Sequence, residues 1–395
     1  MDTDTMVKGF KASAAACGLK KDDTPDIALI FSEKEAVCAG VFTNSKVKAA
    51  PVLLSMKNIA YGKARAIIVN AGNANACTGE QGMKNADRTI QVISEILGIS
   101  KDEVLVASTG VIGAQLDIKK IEKAAPELAE NLVSSGLKDA AEAIMTTDSF
   151  SKICTFTGNV NNVSYNIAGI AKGAGMIMPD MATMLCFILT DINIGLPELK
   201  KALLSSVEKS FNRITVDGDT STNDTVFVLA NGEAGNDIPD DDSFAGFQEG
   251  LEKVMTELAV MIVKDGEGAT KVIYVNVNGA ASSGDALTAA RTVANSSLVK
   301  TAFYGQDPNW GRIMGALGRA GIEMREDKVD IFINDIKIVE GGIGLGSENE
   351  MKAAGEMKKS EFSLTIELNM GDFSDRMTTC DLTHEYVSIN ADYRT

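Results

Sequence analysis

The stretch that most constrains the fold of this chain is residues 172–191, KGAGMIMPDMATMLCFILTD. It opens with the small residues GAG at 173–175, which let a backbone bend sharply. It closes with an apolar run at 184–189 that has the length and composition of a buried strand. The pattern predicts a flexible loop entering a core strand, with Ala182 and Thr183 at the junction.

This junction also permits a chemical interpretation. A threonine hydroxyl is a weak nucleophile unless a base lies beside it, and the single histidine of the chain, His384, is distant in sequence. Cleavage before Thr183 would free an α-amine whose ordinary pKa of about 8 suits a general base. The residues alone leave two interpretations open: an ordinary loop before a strand, or a self-cleavage site with an N-terminal threonine nucleophile.

Composition narrows the class of protein. The chain has 395 residues, of which 45% are hydrophobic and 23% charged, as in a globular protein of about two domains. Its formal net charge of −16 argues against a nucleic-acid or anionic-membrane partner. The apolar runs are too short to span a membrane, and MDTDTMVKGF lacks a signal-peptide core. Six scattered cysteines predict reduced thiols in a cytoplasmic protein with no metal site.

Several loops carry unusual residues. The segment NAGNANACTGEQG, residues 70–82, predicts positive backbone dihedrals in either a tight strand-to-helix turn or an active-site rim. Ser108, Thr109 and Gly110 follow a predicted strand, and such a turn can direct N–H groups at a developing oxyanion. The segment VDGDTSTND, residues 216–224, lacks the spacing and closing glutamate of a calcium loop, so we assign no metal to it.

Periodicity gives a coarse secondary structure. We expect strands at 28–31 and 36–42 joined by a polar turn at 32–35. One helix is expected at 287–300, and a hairpin is expected to turn at Asn334 and Asp335.

Three motifs together resemble one known family. The pattern KGxGMIxPxMATML, the loop NAGNANACTG and the segment YGQDPNWGRI are similar to those of the ornithine acetyltransferase family, also called glutamate N-acetyltransferase. The resemblance covers residues 8–395 and implies self-cleavage into an α chain, 1–182, and a β chain, 183–395. It implies a mixed α/β fold, a four-layer αββα sandwich of the DmpA-like type, with a smaller C-terminal α+β domain from about residue 285.

The resemblance also implies roles for individual residues. Thr183 would be the nucleophile freed from Ala182, and Thr109 and Gly110 would form the oxyanion hole. Lys172 would hold a substrate carboxylate or lower the pKa of the α-amine by like charge. Asp307 and Arg312 are interpreted as structural or rim residues. The substrate-binding residues implied are Thr146, Lys172, Thr183, Glu267, Asn390 and Thr395.

The implied activity is ping-pong transfer of an acetyl group from N2-acetyl-L-ornithine to L-glutamate in arginine biosynthesis. It needs no cofactor, and acetyl-CoA would enter only as a substrate. The implied assembly is α2β2, with no nucleic-acid or membrane partner. Two alternatives remain on sequence alone: a self-cleaving aminopeptidase or amidase with the same nucleophile chemistry, and an uncleaved protein that binds an amino acid.

Overall fold

The computed structural model describes residues 7–178, 184–237 and 240–392. The chain divides into two compact units, one of Met1–Asn212 and Asp219–Ile262, the other of Arg213–Gly218 and Val263–Arg394. Each unit contains a sheet with helices, so the predicted mixed α/β class is confirmed. The order of the four layers and the division into α and β chains stay predictions.

The first unit is built on an eight-stranded sheet in the described residues, with strand order β4-β3-β2-β8-β7-β6-β5 and β1 paired to β2. Neighbours β3/β4 and β7/β8 are parallel, and the other pairs are antiparallel. The strands are β1 (Phe10–Ala15), β2 (Ile27–Phe42), β3 (Lys63–Asn70), β4 (Val104–Ser108), β5 (Lys152–Val160), β6 (Val163–Lys172), β7 (Leu185–Thr190) and β8 (Thr225–Ala230).

Helices cover both faces of this sheet, because alternate side chains of its strands are apolar on both sides. Ile27 and Leu29 of β2 pack with α2 and α3, whereas Ala28 and Ile30 pack with α4 on the opposite face. The helices are α1 (Ala50–Ile59), α2 (Gly79–Leu97), α3 (Ile118–Glu130), α4 (Leu137–Ala143), α5 (Leu196–Lys209) and α6 (Asp241–Lys264).

The second unit has a six-stranded sheet of order β12-β11-β10-β13-β9-β14 in the described residues. Apolar residues of β9 and β13 form one core with α7, α8 and α9. Its strands are β9 (Val272–Ala280), β10 (Asp330–Ile333), β11 (Ile336–Glu340), β12 (Ile343–Gly344), β13 (Glu361–Glu367) and β14 (Phe373–Cys380). Its helices are α7 (Ser283–Ala294), α8 (Ser297–Tyr304), α9 (Trp310–Gly318), α10 (Ser347–Glu356) and α11 (His384–Asp392). Short 3₁₀ helices cover Lys101–Glu103, Phe211–Arg213 and Glu326–Lys328.

Two local predictions were wrong. Residues 32–35 do not turn, because β2 runs through them and a shift of register against β3 between Phe31 and Ala36 absorbs the polar segment. The helix expected at 287–300 is two helices, since α7 ends at Ala294 and α8 begins at Ser297. The predicted hairpin is confirmed: β10 and β11 turn at Asn334, whose φ is 48°.

The second unit also begins earlier in the chain than the sequence indicated. Strand β9 pairs with both β13 and β14. A boundary near residue 285 would separate β9 from its own sheet.

Phe187 on β7 offers a test of the first core. Its ring is fully buried and lies 5.8 Å from that of Phe227, centroid to centroid. We expect Phe187→Ala to lower the free energy of unfolding by about 3–5 kcal/mol, because the neighbours close only part of the cavity. The exposed Leu204 of α5 supplies the control, since Leu204→Ala should change it by less than about 0.5 kcal/mol. Denaturant titration measures both, and equal losses in the two variants would contradict this description of the core.

Candidate functional site

Three strand ends meet in the first unit where the cleavage motif begins and ends. Lys172, the last residue of β6, lies opposite Leu185, the first residue of β7, and Leu185 also lies opposite Thr225 of β8. The Met184 carbonyl accepts a hydrogen bond of 2.9 Å from the Thr225 N–H. The predicted cleavage residues Ala182 and Thr183 lie outside the described residues, but both flanks of the motif are fixed by the sheet.

The Lys172 side chain joins two of the predicted site residues. Its Nζ donates to Thr146 Oγ1 at 2.8 Å and to Thr109 Oγ1 at 3.3 Å. An ammonium only donates hydrogen bonds, so both hydroxyls accept from it and each keeps its own hydrogen for another acceptor. The structure therefore brings together Thr109, Thr146 and Lys172, which lie far apart in sequence.

Asp148 is the buried carboxylate that pairs with Lys172. Its Oδ2 lies 3.8 Å from Lys172 Nζ, and its Oδ1 accepts from Lys152 Nζ at 2.7 Å. Asp148 also accepts from the N–H groups of Thr146 and Gly173, at 3.0 and 2.7 Å. Burial alone would raise the pKa of Asp148, but Lys172 and Lys152 outweigh it and hold that pKa well below its usual range. The buried carboxylate thus fixes both the cation and the first peptide of the loop toward the cleavage motif.

The predicted oxyanion turn follows β4. Gly110 has φ of +124°, and a side-chain carbon there would lie 2.4 Å from the Gly72 carbonyl carbon and 2.6 Å from Asn73 N. Only glycine fits this close approach of two backbones. The Thr109 N–H donates to the Asn70 carbonyl at 2.9 Å, so that N–H is already engaged, and the Thr109 hydroxyl keeps its own hydrogen for another acceptor.

The asparagine-rich loop supports this turn. Asn70 Oδ1 accepts from the Ser108 hydroxyl at 2.6 Å, and Asn70 Nδ2 donates to the Asn73 carbonyl at 2.8 Å. Asn223 Nδ2 donates to the carbonyls of both Ala74 and Ser108, at 2.7 and 2.8 Å. Amide side chains therefore satisfy the backbone groups that the irregular loop leaves open. Of the two interpretations of this loop, the structure shows a strand-to-helix turn that also braces residues 108–110.

Two predicted substrate residues meet in the second unit. Glu267 lies in the turn after α6 and is buried, and its Oε2 accepts from Asn390 Nδ2 on α11 at 2.8 Å. Thr395 lies outside the described residues. Arg312 donates to the Leu298 carbonyl at 2.8 Å, and Asp307 accepts from Asn309 Nδ2 at 2.9 Å. The interpretation of these two residues as structural or rim residues stays a prediction.

Sequence reasoning missed Asp148, Lys152 and Asn223. The run Thr146–Thr147–Asp148 is also typical of a helix cap or turn. This interpretation gave no reason to expect that the Asp148 carboxylate pairs with two lysines. The signal available was the charge itself: Lys152 is the buried first residue of β5, where an unpaired ammonium would be costly.

Among the described residues, no group of three or more histidine, cysteine, aspartate or glutamate side chains is placed to hold a metal ion. Within the same residues, no helix has both the length and the apolar character needed to cross a membrane.

Comparison with known proteins bears on the whole chain. The model of the ArgJ family matches residues 11–395. An arginine biosynthesis bifunctional protein ArgJ of Geobacter sulfurreducens is 50% identical over 391 residues, 98% of this chain and 100% of the relative. A glutamate N-acetyltransferase of Methanocaldococcus jannaschii is 47% identical over 403 residues, 99% of this chain and 98% of the relative. These matches confirm the resemblance to the family.

A solved structure of a family member is also similar to this chain. The crystal structure of an arginine biosynthesis bifunctional protein ArgJ from Bacillus halodurans superposes with a TM-score of 0.51 at 42% identity. The match covers 53% of this chain and 100% of that one.

Removal of the buried carboxylate tests the electrostatic description. Asp148→Asn leaves Lys152 and Lys172 without their anion, so we expect a loss of about 3–5 kcal/mol in the free energy of unfolding at neutral pH. Because the folded pKa of Asp148 is lowered, its contribution is present above the unfolded value of about 3.9 and is lost as pH falls toward the folded value. The difference between wild type and variant should therefore shrink below about pH 4.

Unfolding titrations at several pH values measure this difference, with Asp139→Asn on the exposed face of α4 as a near-silent control. A difference that did not depend on pH would show that Asp148 contributes by packing and not by its charge.

Proposed function

The chain belongs to the ArgJ family, and on this premise we propose that it is a self-cleaving acetyltransferase acting in arginine biosynthesis. It would move the acetyl group of N2-acetyl-L-ornithine to L-glutamate, as the names of its relatives suggest. The observation that carries the proposal is Lys172, whose ammonium joins the hydroxyls of Thr109 and Thr146 at the strand end that leads into the cleavage motif.

The first reaction would be self-cleavage. The Thr183 hydroxyl attacks the Ala182 carbonyl, the C–N bond breaks, and an ester joins the two residues. Water then hydrolyses the ester and leaves chains 1–182 and 183–395. The developing oxyanion would be stabilised at the turn of Thr109 and Gly110, where the neighbouring Lys172 ammonium makes the Thr109 hydroxyl a stronger donor.

The second reaction would reuse the same groups. The freed α-amine of Thr183 takes the hydroxyl proton, and the oxygen attacks the acetyl carbonyl of acetylornithine. Ornithine leaves with the proton, and the acetyl group stays on Thr183 as an ester. Glutamate then enters and its amine attacks that ester, which yields N-acetylglutamate and restores the threonine.

Substrate recognition would use charge. Lys172 can pair with a substrate carboxylate, which both acetylornithine and glutamate carry, while Thr146 supplies a hydroxyl beside it. Glu267 would accept from a substrate ammonium or amide, and the Asn390 amide that now bonds it would orient it. We assign Thr395 a substrate contact from the family resemblance.

The remaining features of the proposal concern donors and assembly. Relatives named bifunctional motivate a second donor, acetyl-CoA, as a substrate and not as a bound cofactor. The family resemblance motivates an α2β2 assembly of the cleaved chains. The scattered cysteines and acidic composition motivate a cytoplasmic location.

Transfer assays test the activity directly. Purified protein should convert acetylornithine and glutamate to ornithine and N-acetylglutamate, and a parallel assay replaces acetylornithine with acetyl-CoA. Release of free acetate or cleavage of small peptides without acetylation of glutamate would instead favour the hydrolase alternative.

Replacement of the proposed nucleophile separates cleavage from folding. Thr183→Ala lacks the hydroxyl and should remain one full-length chain with no transfer activity. Thr183→Ser keeps the hydroxyl and loses only a methyl group, so it should still give two chains on a denaturing gel. Two chains from Thr183→Ala would overturn the assignment of the nucleophile.

Thr109 is proposed to serve both reactions. Thr109→Val keeps the shape of the side chain but removes the donor, which should slow self-cleavage and transfer alike by about a hundredfold, or about 3 kcal/mol of barrier. Thr109→Ser keeps the donor and should retain most of both rates. If Thr109→Val slowed only one of the two reactions, Thr109 would not be a shared oxyanion donor.

A further inference from the structure

Asp224, which directly precedes β8, is a buried acid that neither proposed reaction has used. Its carboxyl is hydrogen-bonded to the hydroxyls of Thr43 and Ser221 and to the Ser221 N–H, while Oδ2 has no hydrogen-bond partner among the described residues. Burial raises the pKa of Asp224, and this outweighs the hydroxyl contacts and the charge of Lys172, which act in the opposite direction. The carboxyl is therefore held toward its neutral, protonated form.

Its position ties Asp224 to the cleavage motif. Thr225, the next residue, donates its N–H to the Met184 carbonyl at 2.9 Å and lies opposite Leu185 in the parallel pair of β7 and β8. The backbone of Asp224 thus lies next to Met184, the residue that follows Thr183 in sequence. The positive charge of Lys172 also acts on the Asp224 carboxyl and favours its ionised form.

A buried carboxyl oxygen without a partner needs an explanation, because it loses hydration and gains nothing in return. Packing alone does not supply one, since an asparagine would fill the same space without an ionisable group. An acid kept neutral by burial is, in contrast, suited to donate a proton to a reacting atom.

We propose that Asp224 is the general acid of self-cleavage: it protonates the nitrogen of Thr183 as the C–N bond breaks. The α-ammonium so formed then loses one proton to solvent before it serves as the base of acetyl transfer. The proposal rests on the proposed function and deepens it, by assigning a proton source to the departing nitrogen. It also gives a role to the segment 216–224, which sequence patterns singled out without a function.

The step balances. Before cleavage the groups are the Thr183 hydroxyl, the Ala182–Thr183 amide N–H and the Asp224 carboxylic acid, which carry three hydrogens in all. The Oγ–C bond forms, the C–N bond breaks, and the hydroxyl and carboxyl protons both pass to the nitrogen. The products are the ester, an ammonium with the same three hydrogens, and the Asp224 carboxylate. Hydrolysis of the ester then consumes one water and frees the hydroxyl.

Asp224→Asn is the central test. The amide is nearly isosteric with the neutral carboxyl but has no acidic proton, so self-cleavage should slow about a hundredfold or more. The raised pKa of Asp224 means that stability falls as pH rises through the range between its unfolded and folded values. The asparagine does not titrate, so the melting temperature of the variant at neutral pH should equal or exceed that of wild type.

The control is Asp372→Asn, which removes an exposed carboxyl from the turn before β14. It should cleave at the wild-type rate. Asp224→Ala provides a second variant, because the space it opens should admit formate, and added formate should accelerate its cleavage where chloride does not. Cleavage is followed on denaturing gels from freshly translated chains.

Slow cleavage of Asp224→Asn at undiminished melting temperature, with rescue of Asp224→Ala by formate, supports the proposal. Cleavage of Asp224→Asn at the wild-type rate overturns it, and so does equal slowing of Asp372→Asn.

Should Asp224→Asn fail to fold, infrared difference spectra of the uncleaved Thr183→Ala chain against the cleaved wild type decide the matter. One protonated carboxyl should disappear on cleavage, and retention of that carboxyl overturns the proposal. The proposed function is judged separately, on wild-type protein: if wild type neither cleaves nor transfers acetyl, that function fails whatever the Asp224 variants show.

Discussion

The interaction on which the first unit's site depends is the contact of one buried carboxylate with two lysines. Asp148 lies between Lys152, which opens β5, and Lys172, which closes β6. Burial of any one of these charges alone would be costly. The three are tolerated because the carboxylate pairs with both ammonium groups and also accepts hydrogen bonds from backbone N–H groups. Such a cluster adds little net stability compared with an apolar core, so its value lies in the precise placement of the Lys172 ammonium.

The turn of Thr109 and Gly110, to which we assign the proposed oxyanion hole, is positioned differently, by the packing of backbone on backbone. Gly110 lies against the peptide of Gly72 and Asn73, and side-chain amides of Asn70 and Asn223 hold the surrounding carbonyls. None of these contacts depends on a flexible charged side chain, so the backbone of the turn is held by close packing and by amide hydrogen bonds. Donors fixed in advance are more effective than donors that must reorganise as charge develops.

Sequence pattern predicted the regular parts of this fold well, because apolar periodicity reports directly on burial. The pattern failed at residues 32–35, where four polar residues resemble a turn although the strand continues through a bulge. It also failed at residues 295–296, where one helix ends and the next begins within a continuous apolar pattern. The motif residues Thr109, Thr146 and Lys172 were found through a family resemblance, and only the structure shows that they touch. Asp148 was missed although its partner Lys152 lies only four residues away, because its contact with Gly173 spans 25 residues, and local sequence carries no record of a contact at that separation.

The two buried aspartates near Lys172 show how one cation can serve opposite purposes. Asp148 receives two lysines and two backbone N–H groups, so its pKa is held low and it remains a carboxylate. Burial raises the pKa of Asp224, and this outweighs its hydrogen bonds with the Thr43 and Ser221 hydroxyls and the Ser221 N–H and the charge of the same lysine. Environments that push the pKa values of two like groups apart are what distinguish a fixed counter-ion from a proton donor. On this argument Asp148 sets the position of Lys172, whereas Asp224 retains a proton that the proposed self-cleavage can use.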